Sequence, residues 1–261
     1  MSNRLFVTGI TLSLVSLFGC GGTKVLKESQ PMQITQALAE VSDQQITVTL
    51  DWVIVRDGPG TWAKNADWDE YLLRVNNRSD HSISVTRLIV VDSLDSQISP
   101  QSERKKLVKG SKDTARRYKT SGIKVKAGQG AGTMLVAGAA VTAAGVGAAY
   151  ATALGAAMSG TAAGTAGAAA GGLLLLGPAL AVGGIVRGVN NSKVNGQIEV
   201  RHTALPVEIP ENKEVNLDIF FPLAPSPTRI ELIYADDNGE HTLIMGTSSV
   251  LSGLHIDTPE E

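Results

Sequence analysis

From Ala127 to Val186 the chain runs for 60 residues without an Asp, Glu, Lys, Arg or His. An ordinary soluble domain covers its surface with charged side chains, so this block argues against one uniform globular fold. The average composition, 43% hydrophobic and 18% charged with a net charge of −2, conceals the unevenness. A bilayer span takes about 20 mainly apolar residues, so the block has room for two spans and a turn. It is built of Ala and Gly more than Leu. Ala139, Ala143, Gly147, Ala151 and Gly155 place small residues at four-residue steps, and Gly160, Gly164, Ala168 and Gly172 do so again. Such faces let helix backbones approach closely inside lipid. In water, each Gly would cost a helix about 1 kcal/mol relative to Ala. The pattern predicts helices over Thr133–Met158 and Ala163–Val186 within a hairpin region 127–188. Lys124 and Lys126 before it and Arg187 after it put both ends on one side of a membrane. A Gly/Ala linker and a buried hairpin in a water-soluble protein are the alternatives, although a linker would carry more polar residues.

The flanks alternate apolar and polar residues and are rich in β-branched types, which predicts strands. Three precede the block, at Gln45–Arg56, Glu70–Val75 and Ser82–Val91. Four follow it, at Gln197–Thr203, Glu214–Phe221, Thr228–Tyr234 and His241–Met245, with a hairpin turn at Asp236–Gly239. Thr23 to Gln45 reads as a tether with one helical turn near Ile34–Val41. Neither half has enough strands for its own two-sheet core. The expected fold class is therefore α+β: a β-sandwich of about seven strands, interrupted by an inserted Gly/Ala-rich, transmembrane-type helical hairpin. Its halves would be residues 45–102 and 189–255, followed by a tail over 256–261. Tyr71–Asp80 and Phe220–Pro227 are similar to strand-turn segments of immunoglobulin-like sandwiches in bacterial envelope proteins, which implies a fold class and no activity.

Cys20 is the only cysteine, so the chain forms neither an internal disulfide nor a cysteine-based zinc site. Arg4 and the fourteen-residue run Leu5–Phe18 have the build of a signal peptide over residues 1–19. The run ends in Leu17-Phe18-Gly19-Cys20, which resembles a bacterial lipobox. That resemblance implies a diacylglycerol on Cys20, a lipidated tether over 20–44, and, with Gly21 following, an outer-membrane address. A lipobox followed by paired Gly/Ala-rich helices is similar to the glycine-zipper outer-membrane lipoproteins. The family implies a hairpin that inserts, drives homo-oligomerisation and serves envelope integrity.

Glu103 to Lys126 holds ten basic and two acidic residues. Arg104, Lys105, Lys106, Lys109, Lys112, Arg116, Arg117, Lys119, Lys124 and Lys126 form a basic juxtamembrane segment over 103–126, suited to anionic lipid or to a solvated linker. Nucleic acid fits poorly, with Tyr118 the only interleaved aromatic. Trp62 lies in a Gly/Pro-broken loop and is a candidate partner contact, whereas Trp52 and Trp68 suit a core. Asp67, Asp69 and Glu70 lack the spacing of a known cation loop. His81, His202, His241 and His255 form no ligand pair, and no nucleophile elbow or phosphate loop occurs. No enzyme, cofactor or metal is expected. The expected function is an outer-membrane-anchored lipoprotein on the periplasmic face, with a β domain for periplasmic or outer-membrane protein partners. A membrane-permeabilising protein using the same hairpin is the alternative.

Overall fold

The computed structural model describes residues 22–32, 34, 36–132 and 187–257. Strands β1 (Lys24–Val25), β2 (Ala39–Ser42), β3 (Ile46–Ile54), β4 (Ala63–Lys64), β5 (Asp69–Asn77), β6 (Ile83–Val91) and β7 (Gln97–Ile98) precede helix α1 (Arg104–Thr120). Helix α2 (Arg187–Arg201), strands β8 (Val207–Ile209), β9 (Glu214–Phe221), β10 (Arg229–Asp236) and β11 (Gly239–Gly246), and helix α3 (Ser248–Leu251) follow. One sheet has the order β2-β3-β5-β9, a second β11-β10-β6-β7 with β8 also on β6, and β1 pairs β4 in a third. All pairings are antiparallel.

The two larger sheets share one apolar core. Tyr71, Leu73 and Val75 of β5 and Leu217, Ile219 and Phe221 of β9 enter it from one sheet. Ile230, Leu232 and Tyr234 of β10 enter it from the other. Period-two alternation supplies these faces. In β6 the buried series is Ile83, Val85, then Leu88, Val90. The register against β10 shifts there, and Thr86, the extra residue, donates its hydroxyl to Ile233 O at 3.2 Å. A bulge thus resets the phase so that both halves of β6 face inward. Strands from both sides of the uncharged block interleave: β9 lies against β5, and β10 lies between β6 and β11.

The expected α+β class is corrected to a mostly β architecture, with eleven strands in three antiparallel sheets among the described residues instead of about seven in two. No described helix is long and apolar enough to cross a membrane. The hairpin helices expected over Thr133–Met158 and Ala163–Val186 lie outside the described residues. Gln197–Thr203 is not a strand, since α2 runs to Arg201. Its alternating Ile198 and Val200 mislead: Val194 and Ile198, four apart, are buried, while Val200 is 51% exposed. Ala39–Ser42 is strand β2 on β3, where a helical turn was expected. The basic segment is not a linker but mostly helix α1.

Candidate membrane-facing surface

On the side of the β2-β3-β5-β9 sheet away from the main core lies a second apolar cluster. Phe220 of β9 meets Leu107 of α1, Val194 and Ile198 of α2, and Trp62 and Trp68 of the loop before β5. Val25 of β1 packs against the same group. Trp62 is 6% exposed and its ring lies 6.4 Å from Phe220, edge to face. It is therefore a structural anchor, not the solvent-facing partner contact expected from the loop. Its indole N–H donates to Glu70 Oε2 at 2.5 Å.

Helix α1 is one-sided. Leu107, Ser111, Thr114 and Tyr118 are buried, at steps of four, three and four. Ser111 Oγ accepts from Leu223 N–H at 2.9 Å, and Tyr118 OH donates to Pro225 O at 3.1 Å. Burial pushes the Tyr118 phenol above its ordinary range. Gly110 is required by a close approach, because a Cβ there would lie 2.6 Å from Pro222 Cγ. The helix ends with Ile123 N–H reaching back to Tyr118 O and Gly122 at φ +76°, a glycine-terminated C-cap.

The ten expected basic residues separate accordingly. Lys105, Lys106, Lys109, Lys112, Arg116 and Lys119 are exposed. Arg117 turns inward to Asp92 Oδ2 at 2.7 Å, and Arg104 is partly buried. Lys124 pairs with Asp257 at 2.5 Å, and Lys126 is exposed. Lys106 and Arg116 make exposed pairs with Glu103 and Asp113 one turn away, each worth only a few tenths of a kcal/mol. Lys105, Lys109, Lys112 and Lys119 have no ion pair among the described residues.

A buried polar knot holds α2. Arg201, its last residue, lies 2.8 Å from Glu70 Oε1 and 3.9 Å from Asp218 Oδ2, with its guanidinium 5.2 Å from the Trp62 ring centre. Burial raises the Asp218 carboxyl well above the ordinary range, and the neighbouring Glu70 adds to the rise. The raised Asp218 carboxyl favours its neutral form, which lessens the negative charge buried beside the guanidinium. Burial also lowers His202, next along the chain.

The residues leading into the uncharged block are fastened to the C-terminal segment. Val125 and Ile256 form a β-bridge, Lys126 N–H donates to His255 O at 2.9 Å, and His255 N–H donates to Gln129 O at 2.7 Å. The fully buried His255 ring accepts from Gly128 N–H at Nδ1, 3.0 Å, and faces the equally buried Asp69 Oδ2 from Nε2, 2.8 Å. This geometry selects the tautomer protonated at Nε2. Gly128, at φ +79°, touches the Arg56 carbonyl so closely that a Cβ would lie 2.2 Å from it.

Asp67, Asp69 and Glu70, adjacent in sequence, do not converge: Asp67 pairs with Arg56, Asp69 with His255, and Glu70 with Arg201. No group of three His, Cys, Asp or Glu among the described residues is placed to hold a metal ion. A hollow lined by Ile54, Thr61, Trp62, Trp68 and Glu70 has a cavity volume of about 10 Å³, far below the ~300–1,000 Å³ of small-molecule sites. Cys20 and the small-residue positions from Ala139 to Gly172 lie outside the described residues. The knot Glu70–Arg201–Asp218 had no sequence signal, since Glu70 lies 131 residues before Arg201 and 148 before Asp218. No protein-family model, curated protein or solved structure matches the chain.

Proposed function

We propose that the chain is a lipid-anchored, non-catalytic protein of the bacterial envelope, held to the outer membrane at Cys20 with its β domain in the periplasm. One observation carries the reading. Strand β1, which begins four residues after Cys20, packs on the same small apolar cluster as α1 and α2. Strand β1, the basic helix and the helix that follows the uncharged block are thereby gathered on one side of the β domain. The opposite end of the sandwich, at the β10–β11 turn, is left to meet a periplasmic or outer-membrane protein. The lipobox at Leu17–Cys20 and the small-residue steps from Ala139 to Gly172 support a glycine-zipper lipoprotein that self-associates.

Palmitate labelling, membrane fractionation and cross-linking of the wild type and Cys20→Ser test this. The wild type should take up label, sediment with outer membranes and cross-link into oligomers. Cys20→Ser should take up none. An unlabelled wild type, or label retained by Cys20→Ser, would overturn the anchor.

A further inference from the structure

We infer that the outward face of α1 docks on the phosphate headgroups of an anionic bilayer, adsorbing to the surface without inserting. The inference rests on the lipid-anchor reading, which brings this face to a membrane. Lys105, Lys109, Lys112, Arg116 and Lys119 recur at steps of four, three, four and three. Their mean of 3.5 is close to the helical repeat of 3.6, so they form one line instead of winding around the helix. Over fourteen residues that line is about 21 Å long. Four of its five cations are without ion pairs among the described residues, so their charge is not neutralised by the protein.

The buried face decides the mode of contact. Leu107 and Tyr118 point into the protein, and Val108 packs beside the second cluster. The residues left exposed on α1 are Lys105, Lys106, Lys109, Lys112, Asp113, Arg116, Lys119 and Thr120, none of them apolar. An interfacial helix inserts by burying an apolar face among acyl chains, and α1 has none free. Its attraction is therefore electrostatic, additive over charges and sensitive to salt. The burial of Tyr118 also removes the one aromatic that could stack on a nucleobase. Where the chain goes next favours a membrane as the occupant. Beyond the helix Lys124 is paired with Asp257, but the exposed Lys126 adds a further cation, and the uncharged block begins directly after it.

The test is co-sedimentation of the full chain carrying Cys20→Ser, which cannot be acylated. The vesicles are phosphatidylcholine alone, and phosphatidylcholine mixed with phosphatidylglycerol. Binding to the mixed vesicles should exceed binding to the neutral ones. That excess should fall with added salt and by about fivefold for each of Lys105→Gln, Lys109→Gln, Lys112→Gln and Lys119→Gln combined in turn. The four corresponding Lys→Arg changes should preserve it, and Lys213→Gln, exposed on the loop before β9, should not move it. All these side chains are exposed, so an unchanged melting temperature certifies the fold of each variant. Equal binding to both vesicle types, or an excess that survives the quadruple Gln variant, would overturn the docking face. So would tighter binding to a DNA oligonucleotide than to the anionic vesicles. Palmitate labelling of the wild type separates the two readings: label without an anionic excess leaves the anchor and removes the docking face. An anionic excess without label does the reverse.

Discussion

Arg201 Nη1 lies 2.8 Å from Glu70 Oε1, and this contact fixes the end of α2 to β5. The arginine is 14% exposed and the glutamate 1%, so the pair sits in a desolvated setting where losing one partner strands the other. Among the described side chains of α2, Val194 and Ile198 are the buried apolar ones. The ion pair is thus a large share of what docks a helix containing Gly188, Gly196 and four asparagine or serine residues between 190 and 195.

Arg201→Met should destabilise the domain by about 3–5 kcal/mol, the usual effect of leaving one buried charge unpaired. Amide exchange across α2 should accelerate more than in β5 or β9. The double variant Glu70→Gln, Arg201→Met should recover part of the loss. Urea unfolding with residue-resolved exchange reads both, and a double variant no more stable than Arg201→Met would contradict the pairing.

Asp218 carries a pH signature. Its folded carboxyl is raised above the ordinary 3.8 by burial and by Glu70, so the folded state holds a proton that the unfolded chain gives up. The associated stability is complete below that ordinary value and declines as pH rises toward the folded one. Asp218→Asn keeps a group able to donate to Glu70 and removes the titration. Its melting temperature should exceed that of the wild type, by more at pH 8 than at pH 5. A gain that shrinks with rising pH would have the wrong sign.

Gly110→Ala sets two effects against each other. Alanine favours the helix by about 1 kcal/mol, but its methyl would sit 2.6 Å from Pro222 Cγ. The contact should dominate, giving a net loss of about 1–2 kcal/mol in thermal unfolding. A stabilised variant would mean that α1 does not rest on Pro222.

His255→Phe should cost about 3–5 kcal/mol by leaving Asp69 buried without its partner and Gly128 N–H without an acceptor. Asp69→Asn still presents an oxygen to Nε2 and should cost less. Limited proteolysis should find residues 124–130 more open in His255→Phe, because the side-chain bond from Gly128 N–H to the ring Nδ1 is lost and only the two backbone bonds of residue 255 remain.

Some of this was legible in the chain. The alternation in 214–221 and 228–234 is that of β9 and β10, and the turn at Asp236–Gly239 joins β10 to β11. The basic segment was not legible as a helix, because only Leu107 and Tyr118 of its four buried positions are apolar, and Ser111 and Thr114 left the period without contrast. α2 was read partly as strand for the converse reason: Ile198 and Val200 gave contrast at the wrong period. Strands β1, β4, β7 and β8 span two or three residues, too few for any period to show. Trp62 looked available because its loop is broken by Gly and Pro, and the cluster that covers it comes from α1, α2 and β9.

The orientation of the domain is the central claim, and depth-dependent fluorescence quenching by a headgroup-level quencher tests it most directly. Single probes would be placed at Lys112→Cys on α1 and at Asp237→Cys in the β10–β11 turn, on full-length chain carrying Cys20→Ser bound to phosphatidylglycerol-containing vesicles. β10 runs from Arg229, beside Val91, to Asp236, so the turn lies a strand's length, about 26 Å, from the Asp92 end that Arg117 holds. Strong quenching at 112 with little at 237 is the predicted result. Equal quenching at both sites, or stronger quenching at 237, would contradict it.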